Sequence, residues 1–131
     1  MPHERKNSMA FILVIDDDEI VNAMIVQLLM EAGYDAEGAR DGHLGILRLK
    51  STPFDLVITD IVMPEKEGLE TIIEIRKMNK TIPIIAISGG GKVNADQYLN
   101  MAKNLGADYA LKKPIENEHL IGAVRECLFR V

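Results

Sequence analysis

The chain has 131 residues, 47% of them hydrophobic and 27% charged, with a formal net charge of −5. That is enough apolar material for one buried core but not two, and the acidic balance excludes a general nucleic-acid or anionic-membrane binder, which needs a basic surface. A lone cysteine, Cys127, can form no internal disulfide, which fits a reducing compartment such as the cytoplasm.

The polar opening MPHERKNS is expected to be a flexible leader over residues 1–9, followed by a single domain over 10–131. The apolar runs have strand length and are too short to insert in a membrane. The first run, FILVI, meets three aspartates and a glutamate. Beyond them Val21, Met24, Ile25, Leu28 and Leu29 take the i, i+3, i+4, i+7, i+8 spacing of one buried helix face. Gly33 then supplies a left-handed helix end. A weaker run, DAEGA, follows Tyr34, and DLVIT makes a third. After it come MPEKE, with Pro64 stiffening the loop, and Gly68, expected in a tight turn into the third helix. IPIIAIS is the fourth run. Asn94 with Gln97 predicts a helix start, Tyr98, Met101, Ala102 and Leu105 predict a buried stripe, and Gly106 its end. DYALK is the fifth run. Asn117 is expected to cap a last helix that buries Leu120, Ala123, Val124, Cys127 and Leu128.

Strand-like runs alternating with helical stripes predict an α/β fold: a parallel sheet covered by helices on both faces. In such sheets ligands collect at the carboxyl ends of the strands, near the point where the chain switches faces. At those ends stand Asp16, Asp17 and Asp18 after the first run, Asp60 after the third, Ser88 and three glycines after the fourth, and Lys112, Lys113 and Pro114 after the fifth. Acids, a hydroxyl and an ammonium therefore converge on one edge.

One acid before a helix is ordinary capping. Several close carboxylates repel one another unless a cation holds them, and carboxylates from two strands suit Mg²⁺, which also accepts phosphate oxygens. A carboxylate can itself be the nucleophile that forms an aspartyl phosphate, with Mg²⁺ and a lysine stabilising the transferring oxygens. The other features have plainer readings. GGGK lacks the GxxxxGK[ST] spacing of a nucleotide loop. The methionines on helices are expected to fill the core. His3, His43 and His119 lack metal-ligand spacing and are expected to face solvent.

The motifs VIDDDE, VITDIVMPEKEGLE, IPIIAISGGG and GADYALKKPI together resemble the receiver domain of two-component response regulators, of the CheY-like superfamily, over about residues 10 to 130. The resemblance implies a flavodoxin-like (βα)5 doubly wound sandwich whose five parallel strands run in the order 2-1-3-4-5. It also implies phosphorylation of Asp60 by a histidine kinase or histidine phosphotransfer protein. Asp17, Asp60 and the backbone carbonyl of Val62 would ligate Mg²⁺ directly, and Asp16 would act mainly through metal-bound water. Asp18 falls one place beyond the acid pair, as a helix cap. Ser88 matches the family's switch hydroxyl, and Lys113, not Lys112, its phosphate-contacting lysine, because it precedes Pro114 in a bond that is usually cis in the family. One position departs from the pattern. Three residues before the lysine the family carries an aromatic switch, and here stands Ala110. Tyr109 is its neighbour and should face the other side of the sheet. The glycines Gly89, Gly90 and Gly91 put no bulk over the phosphoryl group, so the site should be open.

The expected function is a phosphoryl-accepting signalling switch and not an enzyme acting on outside substrates. Its readout would be a protein met in trans through the surface of the fourth helix, fifth strand and fifth helix. A piece of a longer regulator is the alternative to a stand-alone domain. The alternatives are a phosphorylation-independent interaction module and an aspartyl-phosphate hydrolase, for which the chain has little length to build a substrate cap.

Overall fold

The computed structural model describes residues 9–61, 67–89 and 95–129. Five strands alternate with five helices: β1 (Phe11–Ile15), α1 (Glu19–Glu31), β2 (Asp35–Ala39), α2 (Gly42–Ser51), β3 (Leu56–Asp60), α3 (Glu67–Met78), β4 (Ile84–Gly89), α4 (Ala95–Leu105), β5 (Tyr109–Lys113) and α5 (Asn117–Leu128). Every strand pair is parallel and the order is β2-β1-β3-β4-β5, so the expected α/β architecture and topology are both present.

The sheet splits the core in two. Because side chains alternate across a strand, Leu13, Val57, Ile84 and Ala86 pack with Ile46 of α2, Ile72 and Ile75 of α3 and Ala102 of α4. Ile12, Ile58, Ile85 and Ile87 pack on the other face with Ile25 and Leu29 of α1 and Leu120, Val124 and Cys127 of α5. The three central strands are buried on both faces, which explains their continuous apolar runs. Edge strand β2 is only half-buried along most of its length, so DAEGA needs no such run.

Local chemistry sets the helix ends. The Asp18 carboxylate accepts from the N–H groups of Ile20 and Val21 at 3.0 and 3.2 Å and caps α1. Asp41 caps α2 through the Leu44 N–H at 2.8 Å. At the other end of α1, Gly33 takes φ 99°. There the Tyr34 N–H donates to the Leu29 carbonyl and the Gly33 N–H to that of Met30, a Schellman motif. α4 ends in the same way around Gly106.

The guanidinium of Arg76 fastens the amino-terminal edge of the sheet. It donates to the Gly106 carbonyl at 2.8 and 3.1 Å and to the Ile82 carbonyl at 2.7 Å, and it pairs with Asp108 at 3.2 Å. The end of α3, the end of α4 and the entries to β4 and β5 are thus joined at one side chain.

Several expectations need correction. Gly68 lies inside α3 and not in a turn; a β-carbon there would come 2.7 Å from the Asp60 carbonyl oxygen and from the Ile61 carbonyl carbon. Glycine is required by the close approach of helix to strand end. The cap position of α5 is Glu116 and not Asn117, since the Glu116 carbonyl already accepts from the Leu120 N–H at 3.1 Å; the Glu116 side chain makes no capping bond. The described methionines on helices do not fill the core: Met24, Met30, Met78 and Met101 are all exposed, Met24 by 64%. Met24 sits at the rim of its stripe, where the buried positions are Ile25 and Leu29. His43 and His119 face solvent. The leader (1–8), His3, Pro64, the Asn94 cap, the glycines Gly90 and Gly91 and the Tyr98 side chain lie outside the described residues.

Candidate functional site

In the order β2-β1-β3, the chain leaves β1 towards α1 on one face and β3 towards α3 on the other. A crevice opens between the carboxyl ends of those two strands. Asp16 follows β1 and is 1% exposed; Asp60 ends β3 and is 4% exposed. Asp17 is exposed beside them, and carboxylate oxygens of the three lie within 4.8 Å of one another.

Lys113, the last residue of β5, reaches over this pair. Its Nζ lies 3.2 Å from Asp60 Oδ2 and 3.4 Å from Asp16 Oδ2. Partial burial would lower its pKa, but the attraction of Asp60, then of Asp16, outweighs that and holds the ammonium above the ordinary lysine value. The lysine is a fixed positive charge at neutral pH. Its neighbour Lys112 points away, to an exposed ion pair with Asp96 on α4. The Lys113–Pro114 bond is cis.

Two features mark a place for further groups. Among the described residues three carboxylates meet at this edge beside one ammonium, and two of the three are buried, a set of oxygen donors that suits a divalent cation with oxygen preference. Ser88 is fully buried, and among the described residues its Oγ has no hydrogen-bond partner. A buried hydroxyl left unpaired costs stability, so this one is poised for an acceptor that arrives from outside. The donor set fits Mg²⁺ and a phosphoryl oxygen. Val62, expected to add a backbone carbonyl, lies outside the described residues.

Alternation in β5 puts Ala110 against the α2–α4 cluster and Tyr109 against the α1–α5 cluster. The Tyr109 hydroxyl donates to the Glu126 carboxylate on α5. Ser88, in step with Ile84 and Ala86, belongs to the opposite face from Tyr109.

Sequence reasoning missed three parts of this region. Gly89 belongs to β4 and is paired with Lys113; a β-carbon there would stand 2.7 Å from Lys113 Cδ, so the glycine clears the path of the lysine stem. Asn22, on α1, donates to the Asp16 carbonyl at 3.0 Å. A groove of ≈ 450 Å³ runs beside the site between α1 and the β5–α5 turn, lined by Val21, Met24, Leu28, Lys113, Pro114 and Ile115 among others. Of these, only the exposure of Met24 against its neighbours in the stripe carries a trace in the sequence, as an apolar residue left over once the core face is filled.

A family model described as the response regulator receiver domain matches residues 12–125. Among curated proteins, the chain is 33% identical over 122 residues to a transcriptional regulatory protein CpxR homolog of Haemophilus influenzae, covering 93% of this chain and 52% of that one. It is 32% identical over 123 residues to the response regulator ArlR of Staphylococcus saprophyticus, covering 93% and 54%. The chain thus spans about half the length of the curated relatives it matches. Solved structures of similar fold include a response regulator receiver domain protein of Clostridium thermocellum, with TM-score 0.83, 29% identity and coverage of 92% of this chain and 95% of that. Another is the chemotaxis response regulator CheY4 of Vibrio cholerae, with TM-score 0.80, 28% identity and coverage of 92% and 100%.

Proposed function

Because the chain belongs to the response regulator receiver domain family, we propose that it is a phosphorylation-controlled signalling switch in which Asp60 is the phosphoryl acceptor. One observation carries the reading. A single ammonium, Lys113, spans two buried carboxylates from different strands while an unpaired buried hydroxyl, Ser88, waits at the next strand end. A stable ion pair alone would not need that hydroxyl.

In this reading Asp16, Asp17 and Asp60 hold Mg²⁺, with the Val62 carbonyl as the further ligand that the family implies. When bound, the metal neutralises the carboxylates and the charge on the incoming phosphoryl group. An Asp60 carboxylate oxygen attacks phosphorus in line; the new O–P bond forms as the donor's bond to phosphorus breaks, and the leaving imidazole nitrogen keeps that electron pair. The Lys113 ammonium then turns from the Asp60 carboxylate to a phosphoryl oxygen of the same residue, and the Ser88 hydroxyl donates to another. Phosphorylation shifts a population only if it favours one state, and the gain of a partner by Ser88 supplies such a difference.

The donor is a histidine kinase or histidine phosphotransfer protein. We place it at the groove between α1 and the β5–α5 turn, because that groove is lined mainly by apolar side chains, exposed Met24 among them, and Lys113 itself forms part of its wall. The readout is a protein that senses α4, β5 and α5, in the cytoplasm. With Tyr109 held towards α5 and Ala110 in the family's aromatic position, the output runs through Ser88 and the segment after it rather than through a ring.

The test is intact mass after incubation with Mg²⁺ and acetyl phosphate, beside Asp60→Asn and an EDTA-treated sample. One added phosphoryl group that needs the metal and Asp60 is expected. No addition, together with no binding of beryllofluoride, would overturn the switch and favour a phosphorylation-independent interaction module. Turnover of phosphorylated metabolites would favour the hydrolase.

A further inference from the structure

Asn22 stands in the first turn of α1, half-buried, between the acidic loop and the edge strand β2. Its Nδ2 donates to the carbonyls of Ala39 at 2.9 Å and Asp16 at 3.0 Å, with that of Val14 at 3.4 Å. Three carbonyl oxygens around one nitrogen also settle which end of the amide points inward, since the amide oxygen there would only meet acceptors.

The bond to Asp16 matters because a peptide unit is rigid: fixing the Asp16 carbonyl fixes the plane that leads into Asp17. The rest of the Asp16 backbone is held as well, its N–H donating to the Ala39 carbonyl at 3.1 Å. Its Oδ1 accepts from the Asp18 N–H at 2.9 Å, which leaves Oδ2 facing Lys113 and the cluster. Across β2, Gly38 makes room for the arrangement. A β-carbon there would lie 3.0 Å from Asn22 Cγ and closer still to its Oδ1. The glycine that weakens DAEGA as a strand is where the Asn22 amide sits.

We propose that Asn22 is a positioning residue for the divalent cation: with Gly38 beneath it, it locks the loop so that the Asp16 and Asp17 carboxylates are set before the metal arrives. The proposal rests on the receiver reading of the site. Partners that orient the ligands of a metal, when removed, typically cost 10–100-fold in affinity. A plain staple between α1 and β2 would lower stability too, but it would not change the Mg²⁺ concentration at which the folded molecules half-saturate.

The experiment is calorimetric titration with Mg²⁺ alone of wild type, Asn22→Ala, Gly38→Ala and the double variant, with urea unfolding of each to establish the folded fraction. About tenfold weaker Mg²⁺ binding is expected for each single variant. The double variant should be no weaker than Asn22→Ala, because the added methyl then has no side chain to displace. Binding within twofold of wild type in a folded Asn22→Ala would overturn the proposal. If that variant does not fold, Gly38→Ala decides by the same criterion. A fully additive double variant would also overturn it, since the two residues would then act independently. Wild type that binds no Mg²⁺ would overturn the receiver reading and this proposal with it, an outcome distinct from a responsive wild type beside unshifted variants.

Discussion

Gly68 offers the sharpest test of how the fold holds Asp60. An alanine there would put a methyl 2.7 Å from both the Asp60 carbonyl oxygen and the Ile61 carbonyl carbon. Both are backbone atoms of the end of β3 and cannot rotate aside, so α3 must retreat from the sheet. Overpacking of this kind costs about 1–3 kcal/mol, and the rigid obstacle places it near the upper end. Replacing a helical glycine by alanine returns about 1 kcal/mol, which leaves a net loss of about 2 kcal/mol. At the entropy of unfolding typical for this length, that is a fall of roughly 7 °C in Tm. Gly122 in α5 is the control, because nothing lies within 4 Å of its β-carbon position; Gly122→Ala should raise stability by about 0.5–1 kcal/mol. Thermal and urea unfolding followed by circular dichroism read both. Gly68→Ala as stable as wild type would refute the claim that contact with the strand end, and not a turn, demands this glycine.

Three further outcomes are expected. Ser88→Ala removes an unpaired buried hydroxyl and should stabilise the unphosphorylated protein by about 1 kcal/mol, while a phosphorylated or beryllofluoride-bound sample should lose part of its stability gain; urea midpoints in both states check this. Lys113 has its ammonium held above the ordinary lysine value. The stability it contributes is therefore complete below that ordinary value and is lost as pH rises through the raised one. Lys113→Met should be less stable than wild type at neutral pH, and the two urea midpoints should converge in alkaline solution. Mg²⁺ at a hundred times its Kd should add about 2.7 kcal/mol to unfolding. Asp17→Asn, which relieves repulsion within the metal-free cluster, should be no less stable than wild type without metal yet lose most of that gain, and EDTA should abolish it in wild type.

What the sequence reveals here follows the range of the forces involved. Strand runs and helix stripes are local patterns, and the topology of a parallel sheet sends every strand's carboxyl end to one edge. Asp16, Asp17, Asp60, Ser88 and Lys113 could therefore be grouped without coordinates. Alternation likewise put Tyr109 and Ala110 on opposite faces. Contacts between residues far apart in the chain left no such mark. Gly68 looks like a turn residue because its constraint comes from Ile61 on another element. Asn22 and Gly38 are 16 positions apart and look like an ordinary helix polar residue and a poor strand residue. The exposed methionines defeat periodicity for another reason: a stripe defines which face is apolar but not how far round the helix burial extends.

The Arg76 clasp anchors one end of α4. Its carboxyl end is bound at Gly106 by a guanidinium that also grips α3 and the start of β4. Towards its amino end Asp96 makes an exposed ion pair with Lys112, of a kind worth at most about 1 kcal/mol. A rod anchored at one end answers a push at the other by swinging about the anchor. Over 11 residues, about 16 Å of helix, a shift of about 2 Å beside the acidic crevice becomes a tilt of about 7°. Under such a push Arg76 would be the fulcrum of a lever, since its bonds to Gly106 and Ile82 hold the far edge of the sheet.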